Sequence, residues 1–382
     1  MKIFKKIFSI LFIFLLGSAG MLFADWSGVM DNTVNYSLGN DGFDSQSFGL
    51  ETFANFRYQV RTREMATFYA SFNLVAASGT NALGLGFIFG ETAIGENYAA
   101  GIELERLYFR IPGEKIRTEA GLLRMSFGYS QVWGSTDFLN PRNPMILNAR
   151  PRGVLGWHSS MFITDELRIM AFAAAPSNPL LSDGGGFIPG LSMDRLWDTG
   201  SLLGFYAFQT PNGPYKQGLH YFGLSLKFDL ELSFVVDAHY SLNPEDINGL
   251  DGLSASVGFD YSFLDGDLFI LTEYLYNGSA SVTSAGNGGH WLSEHFLYCS
   301  ALYRMDDFTN FTLALMMSFD DLSFRPIAII NHELFQGFSM SLSAQLPLDQ
   351  KSFGGSKAGE LVEAVNGART TFVMSLGARL RF

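Results

Sequence analysis

Histidine, carboxylate and hydroxyl side chains come close together at only a few points along this 382-residue chain. The segment His290-Trp-Leu-Ser-Glu-His295 holds two imidazoles and Glu294, ligand types that a zinc ion would take. Their odd spacing puts His290 and His295 on opposite faces of a strand. Ser159 beside His158, and Asp237 two residues before His239, suggest a nucleophile or a proton relay only superficially. Neighbours at a spacing of two share a strand face by default. No phosphate-cradling glycine loop follows a strand and opens a helix. The chain therefore reads as a non-enzyme with no catalytic residue, no metal site and no cofactor. What remains is guanidinium chemistry. Arg124, Arg142, Arg150 and Arg152 lie in one stretch with Trp133, Asp137 and two Asn-Pro turns, Asn140-Pro141 and Asn143-Pro144. Arginine forks suit anionic oxygens, and what this cluster can do depends on the elements that carry it.

Those elements read as strands. Leu232 to Leu242 sets Leu232, Phe234, Val236, Ala238 and Tyr240 against Ser233, Asp237, His239 and Ser241. Leu253–Phe263, Phe338–Leu346 and Ala66–Leu74 alternate in the same way, with small or hydroxylated polar rows and no helical period between them. The chain is 47% hydrophobic and 15% aromatic, with 37 Phe. After the first 24 residues no apolar run is long enough for a transmembrane helix. A soluble domain would hide so many rings in a core, whereas a barrel shows them to lipid. The formal charge of −12 argues against a nucleic-acid partner, which needs a basic footprint. The single cysteine, Cys299, cannot form an internal disulfide and reads as a small hydrophobe.

The termini point the same way. Lys2, Lys5 and Lys6, an apolar run over residues 7–16 and a small-residue zone make residues 1–24 a secretory signal peptide, leaving 25–382 as the barrel domain. Thr370 to Phe382 alternates to its aromatic end, with Phe372, Met374, Leu376, Ala378, Leu380 and Phe382 on one row. It resembles the assembly signal of bacterial outer-membrane β-barrels. The resemblance implies that Phe372, Leu376, Leu380 and Phe382 are read by the barrel-assembly machinery, and that this strand closes onto the first. Tight turns near 62–64, 113–115, 164–166, 229–231, 264–266 and 305–307 alternate with long stretches at 78–100, 129–152, 176–216, 243–251, 278–289 and 347–368. Short periplasmic turns and long external loops mark an antiparallel transmembrane β-barrel. The expected count is about sixteen strands, within fourteen to eighteen. Leu202–Gln209 could add a hairpin, and a phase change near Glu105 and Arg106 suggests a bulge.

On such a barrel the 129–152 stretch could fold inward. Arg124, Asp137, Arg142, Arg150 and Arg152 would then form a pore constriction; the alternative is a packed external loop whose arginines pair with carboxylates such as Asp137. Gly121, Arg124, Gly128, Trp133, Gly134, Asp137, Asn140 and Pro141 follow the order of a Gly-x-x-Arg-x-x-x-Gly strand, Trp-Gly and Asp-x-x-Asn-Pro. This order resembles porin-like outer-membrane barrels, including the alginate-export type, which implies transport without naming a substrate. Strand phase puts Glu51, Arg57, Arg117, Glu119, Arg168, Lys227, Asp237, Asp260, Glu273, Arg304, Arg379 and Arg381 on the lumen wall. The expected function is a passive outer-membrane channel of a diderm bacterium for small hydrophilic solutes, surrounded by outer-membrane lipid, as a monomer or a homotrimer. Two other readings stay open. One is a plugged transporter of hydrophobic solutes, and the other is an adhesin resting on loop 176–216, with its glycines and Trp197.

Overall fold

The computed structural model describes residues 23–39, 42–61, 66–79, 90–95, 97–140, 153–175, 186–211, 217–244, 249–278, 293–349, 352, 361 and 370–382. Among them lie nineteen antiparallel strands. They are β1 (Phe23–Gly39), β2 (Gly42–Arg61), β3 (Thr67–Gly79), β4 (Gly90–Ile94), β5 (Tyr98–Ile111), β6 (Ile116–Leu123), β7 (Val154–Phe162), β8 (Leu167–Ala175), β9 (Ile188–Trp197) and β10 (Gly200–Gln209). The second half holds β11 (Leu219–Asp229), β12 (Ser233–Leu242), β13 (Leu253–Phe263), β14 (Leu268–Asn277), β15 (His295–Arg304), β16 (Thr309–Ser318), β17 (Ser323–Phe335), β18 (Phe338–Gln345) and β19 (Thr370–Arg381).

Eighteen strands close a ring, and the short β4 pairs only with the outer end of β5, beyond the stretch that β6 covers. The closing seam joins the two ends of the sequence: β1 pairs with β19 from Val29 opposite Arg381 to Gly39 opposite Thr370. Phe382 extends the seam, with Gly28 N–H donating to its carbonyl at 2.8 Å and its own N–H donating to Gly28 at 3.1 Å. The ring of Phe382 lies over Gly28, where a Cβ would overlap it and would stand 2.9 Å from the Asn55 carbonyl.

The count corrects the expectation of about sixteen. Residues 176–216 are not one long loop, because β9 and β10 form a hairpin of barrel wall within them. Trp197, which supported the adhesin reading, is the last residue of β9 and stacks edge-on against Phe228 at 6.0 Å. The strand expected over 116–128 stops at Leu123. The anticipated bulge is present: the register between β3 and β5 shifts between Ser71 and Phe72, opposite Glu105. Residues 25–29 are part of β1 and supply no plug for a hydrophobic-solute transporter. The expected signal peptide lies almost wholly outside the described residues.

Burial divides each strand into two rows. On β11, Phe222 and Leu224 are exposed while Tyr221 and Ser225 are buried; on β12, Val235, Asp237 and His239 are buried. The exposed rows carry Leu, Phe, Met, Ile and Trp around the ring, as lipid-facing rows do. One end of the ring has only short turns, such as residues 163–166, 198–199 and 336–337, and the other carries the long connections.

Gly28→Val tests the seam. Displacing the Phe382 ring should cost about 1–3 kcal/mol, as overpacking does. The check is the denaturant midpoint of the heat-modifiable folded band, and an unchanged midpoint refutes the seam's role.

Candidate functional site

The chain leaving β6 does not stay outside the ring. From Arg124 to Asn140 it folds into the interior, and its local structure comes from its own polar groups. Asn140 Oδ1 accepts from the Met125 N–H at 2.8 Å, Thr136 Oγ1 donates to the Phe127 carbonyl at 2.7 Å, and Gly134 N–H donates to Ser130 Oγ at 2.8 Å. Gly128 has φ of +89°, and any Cβ there would overlap Thr136 Oγ1 and the Asp237 carboxylate. Only glycine lets the backbone approach the wall so closely.

Five successive backbone N–H groups then point at two wall carboxylates. Tyr129 N–H and Ser130 N–H donate to Asp237 on β12 at 3.1 and 2.9 Å. Gln131, Val132 and Trp133 N–H donate to Glu273 on β14 at 3.0, 3.2 and 2.8 Å. Hydroxyls complete both sets. Ser225 donates to Asp237, Thr136 Oγ1 lies 3.2 Å from the same carboxylate, and Ser130 Oγ donates to Glu273 at 2.5 Å. Asp237 and Glu273 are 1% and 2% exposed. A buried carboxylate is tolerable when charge-assisted donors surround it, and a run of N–H groups of this kind is an anion nest. Two further acids hold the edges: Gln131 Nε2 donates to Asp260 at 2.9 Å, and Tyr129 OH donates to Asp194 at 3.0 Å. Burial pushes the Tyr129 phenol up to about 12, so it serves as a neutral donor.

Apolar packing secures the same loop. Met125, Phe127 and Leu139 join Leu123, Phe172, Leu203, Phe205 and Tyr221 in one buried cluster. Phe138 stacks on Tyr221 at 4.7 Å and on His239 at 5.5 Å. Trp133 donates Nε1–H to the Glu273 carbonyl at 3.0 Å and packs with Leu275, Phe296, Met316 and Leu361. Leu361, from the connection between β18 and β19, is itself fully buried, and its carbonyl accepts from Arg325 at 2.6 Å. Two connections therefore contribute to the filling of the interior.

The residues expected to shape the pore fall into several groups. Arg124 lies 3.8 Å from Asp137 and donates to Ser126, so it braces the loop. Arg142, Arg150 and Arg152 lie outside the described residues. Asp237, Asp260 and Glu273, expected on the lumen wall, do stand there and anchor the loop. Arg168 pairs with Asp194 at 2.7 Å, Arg379 with Asp31 at 2.6 Å, and Lys227 with Asp229 at 2.8 Å. Glu119 sits between Arg110 at 2.7 Å and His158 at 3.7 Å. Arg57 donates to Asn55, Arg117 lies over the Phe162 ring at 5.6 Å, and Glu51 stands on the inward row of β2. Arg304 and Arg381 line a cavity of about 430 Å³ at the short-turn end, with Asn310 and Glu333. Phe372, Leu376, Leu380 and Phe382 all stand on the outward row of β19.

Sequence reasoning missed Asp31, Arg110 and Asp194, and also Glu103 and Glu105, which accept from Asn73 and Asn55 at 3.0 and 2.8 Å. A strict period of two, broken at the bulge, would have found Glu105. Asp194 was hidden by the hairpin read as loop.

No family model and no curated relative matches the chain. Solved structures do. It is similar to OccAB4 of Acinetobacter baumannii, at 10% identity with a TM-score of 0.57 over 94% of this chain and 98% of that one. OpdQ of Pseudomonas aeruginosa matches at 11% identity and a TM-score of 0.55, over 94% and 98% of the two chains. A BenF-like porin from Pseudomonas fluorescens Pf-5 matches at 7% and 0.58, over 94% and 99%. At such identities the likeness is one of fold: a closed porin-type barrel. The resemblance to alginate-export barrels gains no support from them.

The double variant Asp237→Asn and Glu273→Gln tests the anchor. Each change aims an amide NH₂ at backbone donors, and each charge-assisted bond lost is worth about 1.5–3 kcal/mol. Limited proteolysis should then cut within 124–140, which the parent protein resists; equal resistance in both refutes the anchoring.

Proposed function

We propose that the protein is an outer-membrane channel through which small hydrophilic solutes diffuse passively, filtered by the in-folded loop and by charges on the free wall. The observation that carries this reading is the eighteen-strand ring narrowed by a docked loop. Rings of eight strands fill with their own side chains, whereas rings of sixteen to eighteen leave room for water. The apolar outward rows match a bilayer setting, and a closed ladder is what lets strands span lipid.

The interior charges suggest a sign for the filter. Asp31, Glu119, Asp194, Asp237, Asp260 and Glu273 are each engaged by a cation, a side-chain donor or loop N–H groups. Arg57, Arg117, Arg304 and Arg381 are exposed, and none pairs with a carboxylate among the described residues. Asp25, Glu51 and Glu333 also stand on inward rows with no cation partner among the described residues, so the free charges are mixed. It is the greater number of unpaired arginines that favours anions, because the free charges, not the total, face a solute.

Planar-bilayer recording on protein extracted from outer membranes tests both statements. Discrete conductance steps are expected, with a reversal potential in a KCl gradient that marks chloride as the preferred ion. Changing Arg57, Arg117, Arg304 and Arg381 to Gln should move that potential toward potassium. A folded barrel that stays silent in both parent and loop-released forms overturns the channel reading; an unmoved reversal potential overturns the assignment of the filter.

A further inference from the structure

The outward face of the seam carries a group that lipid cannot satisfy. Asn32 of β1 stands on the outward row, between Met30 and Val34, which are 37% and 45% exposed. Its inward neighbour in sequence, Asp31, pairs with Arg379 across the interior row, which fixes the phase. Asn32 Oδ1 accepts from Thr52 Oγ1 of β2 at 2.9 Å. Its Nδ2, with two N–H donors, finds no partner among the described residues.

The height of this amide follows from the aromatics on the same two strands. Trp26 packs on Tyr58 at 4.6 Å at one level, and Tyr36 packs on Phe48 at 4.9 Å at the other. Asn32 lies six residues from Trp26 and four from Tyr36. The path between the two aromatic levels is roughly 33 Å of strand, which at a tilt of about 40° spans about 25 Å, the height of a barrel's apolar band. Asn32 thus sits inside that band. Among the described residues it is the one outward amide between these aromatic levels; other outward polar residues are hydroxyls, such as Thr118 bonded to Ser159 at 3.0 Å, the thiol of Cys299 and, nearer strand ends, Arg195, His220, His295 and His332. Hydrocarbon offers no acceptor to an amide, so a polar side chain at this depth calls for a protein partner.

The surroundings favour close approach. At this level the cross-strand neighbours are Ala378 of β19 on one side and Thr52 and then Ala76 of β2 and β3 on the other. Small residues let two backbones come near enough for such side chains to bond. An amide carries donor and acceptor together, so it is complementary to itself, as a symmetric contact between identical chains requires.

We propose that the outward face of β1, β2 and β19 is a contact surface for a second copy of this chain, with Asn32 of each copy bonded to Asn32 of the other within the bilayer. The free Nδ2–H of one copy meets Oδ1 of the next, and the apolar residues beside it close the contact.

Cys299, the only cysteine of the chain, is first changed to Ser. In that background Val34→Cys, on the same outward row and with Asn32 kept, is compared with Leu224→Cys, an outward position nine steps round the ring, both in native outer membranes under mild oxidation. A disulfide-linked homodimer is expected for Val34→Cys, at least about fivefold above the Leu224→Cys level. Separately, Asn32→Leu in the full protein should keep heat-modifiable folding and lose the multimer in native mass spectrometry. Cross-linking no stronger than the control overturns the proposal, as does capture of a different protein by Cys at position 34. A multimer that survives Asn32→Leu also overturns the role of the amide. None of these readouts depends on whether the barrel conducts.

Discussion

Everything in this molecule depends on a backbone ladder with no open edge. Unpaired N–H and C=O groups are too costly in hydrocarbon, so a sheet that spans lipid must return to its first strand. The seam between β1 and β19 meets that demand, and it brings together the first and last described segments of the chain. Once the ring closes, every strand has one face toward lipid and one toward the interior, and the period of two becomes compulsory. The exposed Phe222 and Leu224 beside the buried Tyr221 and Ser225 are consequences of closure and not separate design choices.

Closure at eighteen strands creates a second problem. A ring of this size is wider than its own side chains can fill. The interior is narrowed by chain drawn in from the rim, and that chain has backbone polar groups of its own to satisfy. Residues 129–133 form no strand, yet their five N–H groups are all bonded, because Asp237 and Glu273 stand where a paired strand would otherwise supply acceptors. The wall carboxylates thus take over in the lumen the task that the ladder performs in the wall.

How much of this could be read from sequence follows from the same physics. Alternation made the wall legible, and even the bulge at Glu105 showed as a break in phase. The hairpin β9–β10 was harder, since Pro189, Gly190 and Gly204 dilute its pattern and its turn is only Asp198 and Thr199. The site was legible in part. Gly128, Trp133 and Asp137 marked an unusual loop, but nothing in a sequence says where backbone N–H groups will point. Asp237 and Glu273 therefore looked like any other polar residue on an inward row. A donor without a side chain leaves no trace in residue type, and its acceptor is recognisable only once the fold has joined positions more than a hundred residues apart.

The charge of the chain illustrates the same separation between composition and environment. A formal −12 suggests an acidic molecule, yet the acids beside the in-folded loop, Asp237 and Glu273 above all, are consumed by structure. Carboxylates accept hydrogen bonds from backbone, hydroxyl and guanidinium alike, so a lumen that must hold a loop in place spends acids as fixtures. Guanidiniums only donate, and cannot accept from the loop's N–H groups. A wall that anchors its loop through N–H donors therefore retains its acids in contacts and leaves several arginines facing water. The excess of unpaired arginine behind the proposed anion preference is, in these terms, a by-product of how the loop is anchored.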